Sequence, residues 1–266
     1  MGEGLIRLFK NKLKQEHKIA FVATFFTALL IHFYKFANTL PNHDSLYNFY
    51  SDQNVLGSGR WALSAACGIS SFYDLPWVIG ILSCFFIALT IVVITMLFKL
   101  ENPVLIWLSG ALLAVAPATT ETLFFEFTAD GYMIAMLLSA LGVYLSRIEE
   151  KRVSRQLIAG VCICVSCGIY QAYVSFALIL AVCYFMDALF RDLYDRNTCL
   201  KWILRQAVIY IFSLAAYYVI WKLLLKLTGT PANDYQGISE VGKISVGLFV
   251  NGIKSSIKSV LLYFLQ

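Results

Sequence analysis

Charge is what this chain has least of. Asp, Glu, Lys and Arg make up 14% of its 266 residues, against about 25% in a soluble domain. Hydrophobic residues reach 59% and the mean hydropathy is +0.72. That balance excludes a soluble enzyme, a nucleic-acid-binding module and a disordered tail. The net charge of +5 does not point to nucleic acid either, because the 21 basic residues sit between apolar runs rather than on one face. There is no Ser-His-Asp arrangement, no phosphate loop and no dinucleotide fingerprint; Gly57-Ser58-Gly59 lacks the rest of such a motif. No polar domain is present in which nucleotide-dependent chemistry would sit. The seven cysteines form no disulfide framework. Six lie in or beside apolar runs, where Cys behaves as a small hydrophobe. Cys162, Cys164 and Cys167 resemble a metal cluster only at first sight: on a helix Cys162 points away from Cys164, and no further Cys or His group completes four ligands. Internal repeats and low-complexity tracts are also missing.

What is there is a series of long apolar runs. One crossing of a bilayer takes about 20 such residues, and the runs predict spans over 19–40, 77–98, 103–118 and 131–146. The first is too long for a signal-peptide core and reads as a retained membrane helix after the basic segment 1–18. Region 156–189 is too long for one span and is basic at both flanks, which predicts a hairpin of two spans turning near 168–171. A seventh span runs over about 202–225. In segment 244–266, Val246, Phe249, Val250, Ile253, Ile257, Val260, Leu261 and Phe264 form one helical stripe, with Asn251, Lys254, Ser255 and Lys258 off it. It reads as an interfacial amphipathic helix or an eighth span, in a chain expected to be part of a longer protein. The fold expected is an all-α polytopic membrane protein of seven to eight helices. With the N-terminus in the cytoplasm, 14 Lys and Arg fall inside and 7 outside, as the positive-inside rule requires.

The candidate chemistry then falls in the external loops, 41–76 and 119–130. Asp44 directly follows the first span. A carboxylate there is a candidate general base towards an acceptor hydroxyl, because apolar surroundings make a carboxylate more basic; a solvated loop acid or helix cap is the alternative. Gly57–Trp61 sets flexible backbone before Arg60, suited to phosphate, and Trp61, suited to a sugar face or to the membrane interface. Lys35, near the outer end of the first span and one turn from His32, can snorkel outward or meet a lipid phosphate. Glu121, Glu126 and Asp130 alternate with Phe124, Phe125 and Phe127 in the second loop. Tyr170-Gln171-Ala172-Tyr173 lies at the hairpin tip, where an aromatic belt is the plainer reading.

In order and spacing, Asn42-His43-Asp44-Ser45, Ser58-Gly59-Arg60-Trp61, Ala129-Asp130-Gly131-Tyr132-Met133 and Tyr170-Gln171-Ala172-Tyr173 resemble the Gtr-type, serotype-converting O-antigen glucosyltransferases of bacteria. The resemblance covers most of residues 19–227. It implies a GT-C-like enzyme of the bacterial cytoplasmic membrane that transfers a sugar, usually glucose, from a polyprenyl-phosphate donor to a lipid-linked surface glycan at the outer face. A small flippase and a donor synthase are the partners it implies. It places Asp44 as the loop-one acid. Arg60 and Lys35 then face the donor phosphate, and Glu121 and Asp130 orient hydroxyl groups. His43, Trp61, Tyr132, Tyr170 and Gln171 face sugar or acceptor. The scheme needs no cofactor and no metal, although paired external acids would accept one. The competing class is a transporter or lipid-linked sugar flippase, since charges in membrane helices also mark transport paths; the acids here lie in loops and no inverted repeat is visible. A non-catalytic membrane scaffold is the third class.

Overall fold

An apolar run in lipid has no water to satisfy its backbone, so it closes its hydrogen bonds within itself as a helix. Every regular element among the described residues is helical. The computed structural model describes residues 14–38, 40, 42–44, 55–68, 75–233 and 246–265; Arg7, Lys10, Lys12, Lys243 and the 45–54 part of the first loop lie outside the described residues. The helices are α1 (Gln15–Ala37), α2 (Leu63–Ala66), α3 (Pro76–Phe98), α4 (Pro103–Val115), α5 (Pro117–Thr122), α6 (Ala129–Leu145), α7 (Val153–Ile169), α8 (Tyr173–Phe190), α9 (Arg196–Thr228) and α10 (Val246–Leu265).

Local chemistry sets the boundaries. Pro76, Pro103 and Pro117 each open a helix, where the missing N–H would have had no partner in any case. The Asn102 side chain accepts from the Val104 and Leu105 amides, and Asp195 accepts from Asn197 and Thr198. The expected span 103–118 is divided. Ala116, held extended at ψ 133° ahead of Pro117, ends α4, and the chain restarts as α5. The first span is shifted towards the N-terminus, because Gln15–Lys18 join the helix and Asn38 closes it. The seventh begins at Arg196 rather than near 202, since the Asp195 cap starts the helix within the charged segment. The hairpin of α7 and α8 turns where the sequence places it.

The helices pack on one another in sequence: α1 on α3 and α4, α3 on α6, α6 on α7 and α8, and α7 on α9. Small residues bring the axes together. A Cβ on Gly110 of α4 would collide with Thr24 Oγ1 of α1. Polar groups inside the bundle bond across helices. Ser166 of α7 donates to the Ala135 carbonyl of α6 at 2.7 Å, and Ser139 of α6 donates to the Tyr173 carbonyl of α8 at 3.0 Å. His32 lies 2.9 Å from the Ala114 carbonyl, so the ring beside Lys35 is a link between α1 and α4. Outward faces are apolar, with Phe26, Leu30, Ile211, Phe212 and Val219 more than half exposed, as lipid contact demands. Among the described residues, four helices are long and apolar enough to cross a membrane, and α4, α6 and α7 are shorter apolar helices. The protein is an all-α polytopic membrane protein.

The two ends differ. At one, Lys99 bonds Glu149 at 2.8 Å, and the Tyr184 hydroxyl donates to Glu149 at 3.1 Å. There Arg155 pairs with Glu150, and Arg205 donates to the carbonyls of Ser146, Arg147 and Glu150. Trp202 Nε1 donates to the Ser146 carbonyl at 2.8 Å. The other end gathers residues 55–68, α5, the α7–α8 turn and the end of α9. α10 exposes Val250, Ile253 and Ile257 together with Asn251, Lys254 and Lys258.

Candidate active site

Three segments far apart in sequence meet around Arg60. Its Nη1 donates to the Tyr132 hydroxyl at 3.2 Å, and its guanidinium carbon lies 4.9 Å from the Tyr170 ring centroid. Tyr170 stacks on Tyr132 with centroids 4.6 Å apart and planes 28° apart. The cation is thus held over one ring of a stacked pair and tethered to the hydroxyl of the other. Its Nε is buried without a hydrogen-bond partner, leaving a guanidinium donor to offer to an anion. A planar, multi-donor cation on an aromatic floor suits a phosphate oxygen.

The turn that carries Arg60 is pinned from behind. Gln171 Nε2 donates to the Ser58 carbonyl at 2.8 Å and to the Tyr217 hydroxyl at 2.9 Å. Trp221 Nε1 donates to the Leu56 carbonyl at 2.8 Å, and the Asn233 amide donates to the Gly57 carbonyl at 2.9 Å. Gly59 has φ +85°, and a Cβ there would collide with Tyr217 and Gln171, so only glycine fits both the conformation and the space. Next to it, the Ala62 amide donates to the Gly168 carbonyl at 2.9 Å. The Trp61 ring packs on Gly168, where a Cβ would lie 2.5 Å from Cζ2. Trp61 is half-buried, with its Nε1 buried and unpartnered. Part of the ring expected to meet sugar is therefore used to seat the turn on α7.

Lys35 does not reach outward. It is buried, with Nζ 2.8 Å from Glu126 Oε1 and the Phe36 and Phe124 rings at 5.9 and 5.8 Å. The expected contact with a lipid phosphate is replaced by this ion pair, because a lysine so deep in the bundle finds a carboxylate before it finds the headgroup region. Glu126 Oε1 also accepts from the Leu40 amide at 3.2 Å. The preceding residue, Phe125, meets Tyr132 edge-on with ring centroids 5.9 Å apart.

Asp44 is exposed, with His43 Nδ1 3.4 Å from Oδ1. The apolar seat expected for it is not found among the described residues. His43 is exposed beside it. Asp130 is 1% exposed and accepts from the Gly131 amide at 2.9 Å, at the start of α6 where a carboxylate meets the positive end of the helix. Glu121 is exposed on α5. The structure thus unites Arg60, Trp61, Tyr132, Tyr170 and Gln171 from three of the four sequence motifs.

Sequence reasoning missed Tyr217 and Trp221 as parts of this wall. Their signal was an i, i+4 aromatic pair in the C-terminal part of α9, stacked at 6.5 Å, which reads equally well as an interfacial belt. Glu126 was visible as a loop acid but had no assigned partner, since Lys35 is 91 residues away.

A family model described as Glucosyl transferase GtrII matches residues 33–266, which takes in every residue of the site. No curated protein and no solved structure matches the chain.

Proposed function

Because this chain belongs to the GtrII glucosyltransferase family, we propose that it moves glucose from a polyprenyl-phosphate donor to a lipid-linked glycan, such as O-antigen, at the outer face of the bacterial cytoplasmic membrane. Membership carries the glycosyltransferase class by itself. The lipid-linked donor rests on one observation, the Arg60 guanidinium held on the Tyr132–Tyr170 stack with its Nε unpartnered.

A lipid-anchored phosphate is confined to the interface, where a loop pinned to helix ends meets it. In the reaction proposed, the acceptor hydroxyl oxygen bonds to the anomeric carbon. The bond from that carbon to the phosphate oxygen breaks, and the electron pair leaves with the phosphate. That group departs as an anion and needs no general acid. Arg60 stabilises its charge, and Asp44 takes the proton of the acceptor hydroxyl. Gln171 and the tyrosines hold the Arg60 turn and border the sugar. Glu121, His43 and Asp130 remain candidates for orienting hydroxyl groups. A donor synthase and a flippase are the partners that would deliver the donor to this face.

The test uses the full chain in liposomes, with polyprenyl-phosphate glucose on the loop side and a lipid-linked glycan as acceptor. Wild type should form glucosylated product without any translocation. Arg60→Lys keeps the charge but loses the planar fork and should transfer less; Arg60→Ala should transfer least. If wild type makes no product yet moves donor supplied on the opposite face, the transporter reading replaces this one.

A further inference from the structure

At the end of the bundle where Lys99 bonds Glu149, a cavity of about 230 Å³ opens between the start of α1, the end of α3 and Tyr144 of α6. We propose that it takes the headgroup of a phospholipid that carries a primary ammonium beside its phosphate. The occupant comes from the membrane leaflet on that side. Nothing in this depends on the reaction proposed for the other end.

Two polar atoms carry the inference. Thr95 of α3 is 1% exposed, and among the described residues its hydroxyl has no hydrogen-bond partner. Glu16, in the first turn of α1, has its Oε2 buried and equally unpartnered. Both side chains line the cavity. A buried polar atom without a partner is costly, a charged one most of all, so each calls for a group that enters from outside the chain. An ammonium is the donor that best answers a carboxylate oxygen.

The charges of the lining say what else the occupant carries. Lys14 and Lys99 stand against Glu16 and Glu101, so the signs balance. A simple anion would face both glutamates, and a simple cation both lysines; a zwitterion answers each sign with its opposite. Lys99 already bonds Glu149 at 2.8 Å, which leaves Lys14 and His17 to meet the phosphate. They stand where α1 begins, and the positive end of that helix adds to their attraction for an anion. No group of three His, Cys, Asp or Glu able to hold a metal ion lies among the described residues, which sets a divalent cation aside. Met96 and Leu100 give the lining an apolar part, and the apolar run of α1 starts at Ile19, just past His17. The cavity therefore lies where polar chain gives way to apolar chain, the level of a headgroup rather than of free solution.

The test uses the full chain in a neutral detergent, with lipid binding read by native mass spectrometry and stability by Tm. The probes are phosphatidylethanolamine, phosphatidylcholine, which has the same charges but no N–H, phosphatidylglycerol, which has the phosphate without an ammonium, and glycerophosphoethanolamine, the soluble headgroup. Phosphatidylethanolamine should bind about tenfold tighter than each of the others, through its charge-assisted bond to Glu16, and should raise Tm. Glu16→Gln keeps the shape but loses the charge and should erase the preference over phosphatidylcholine. Thr95→Val removes a hydroxyl that bonds nothing in the protein, so Tm without lipid should hold or rise while phosphatidylethanolamine binds more weakly. It also keeps the test open if Glu16→Gln fails to insert. Equal binding of phosphatidylethanolamine and phosphatidylcholine, or a preference unchanged in both variants, overturns the proposal. A soluble headgroup that binds as tightly as the lipid overturns the membrane as its source.

Discussion

Single residues decide whether the Arg60 turn exists at all. Gly59 carries φ +85° beneath Tyr217 and Gln171. Any side chain there meets both strain and collision, and a backbone held in that region costs about 1–3 kcal/mol. Gly59→Ala should leave the protein inserted but loosen the turn, so transfer should fall at least tenfold while Gly252→Ala, on a helix and with open space around its Cβ, leaves transfer unchanged. Asp44→Asn removes a base while keeping its size, and the expected fall in kcat is about 10²–10⁴-fold. At the opposite end, burial pushes the Glu149 carboxyl up, but hydrogen bonds from Lys99, Tyr194, its own backbone and Tyr184 outweigh it and hold the group at about 2, below its ordinary 4.5. The unfolded chain therefore binds the proton first. The stabilisation is complete above 4.5 and is lost as pH falls towards 2. Thermal unfolding in detergent should show a Tm that drops with pH across that window, and Glu149→Gln should flatten the drop.

At the scale of elements, the sequence announces what is periodic and local. α3 and the α7–α8 hairpin fall where hydropathy and basic flanks put them, because a run of apolar residues ended by Pro or charge has few other solutions in lipid. The Arg60–Tyr132–Tyr170 group was legible as three motifs, not as one site, since their union depends on how α6 and α7 lie against residues 55–68. The Lys35–Glu126 pair was hidden for the same reason: nothing near Lys35 in sequence says which carboxylate it will find. α5 was hidden as well, because a single pre-proline residue breaks what composition reads as one span. α10 allows a sharper statement. It has two lysines and no acid, with Ile253 and Ile257 exposed, so binding to anionic lipid should be strong and salt-dependent. A peptide of residues 246–265 should bind vesicles containing anionic lipid and bind neutral ones less. Lys254→Glu with Lys258→Glu should abolish that difference.

For the whole molecule, the ion pairs at one end and the Arg60 turn at the other give the bundle a polarity that the charge count assigns to the two sides of the membrane. Cysteines placed at the exposed Ser64 and Ala232 should react with an impermeant reagent added outside, and one at the exposed Ser154 should not. Labelling at Ser154 alone would put the site in the cytoplasm and remove the outer-face reading.

α9 adds a measure of depth. Its two tryptophans, Trp202 and Trp221, each donate to a backbone carbonyl at their own end of the bundle. Nineteen residues separate them, about 29 Å along a helix, and the hydrocarbon layer is about 30 Å thick. The helix works as a gauge rod with a mark at each boundary. On the reading proposed above, an upright α9 would set Leu56, which Trp221 holds, and the Arg60 turn that follows near one boundary of that layer. The spacing between the Trp202 and Trp221 anchor points is thus fixed by a helix length rather than by the loop.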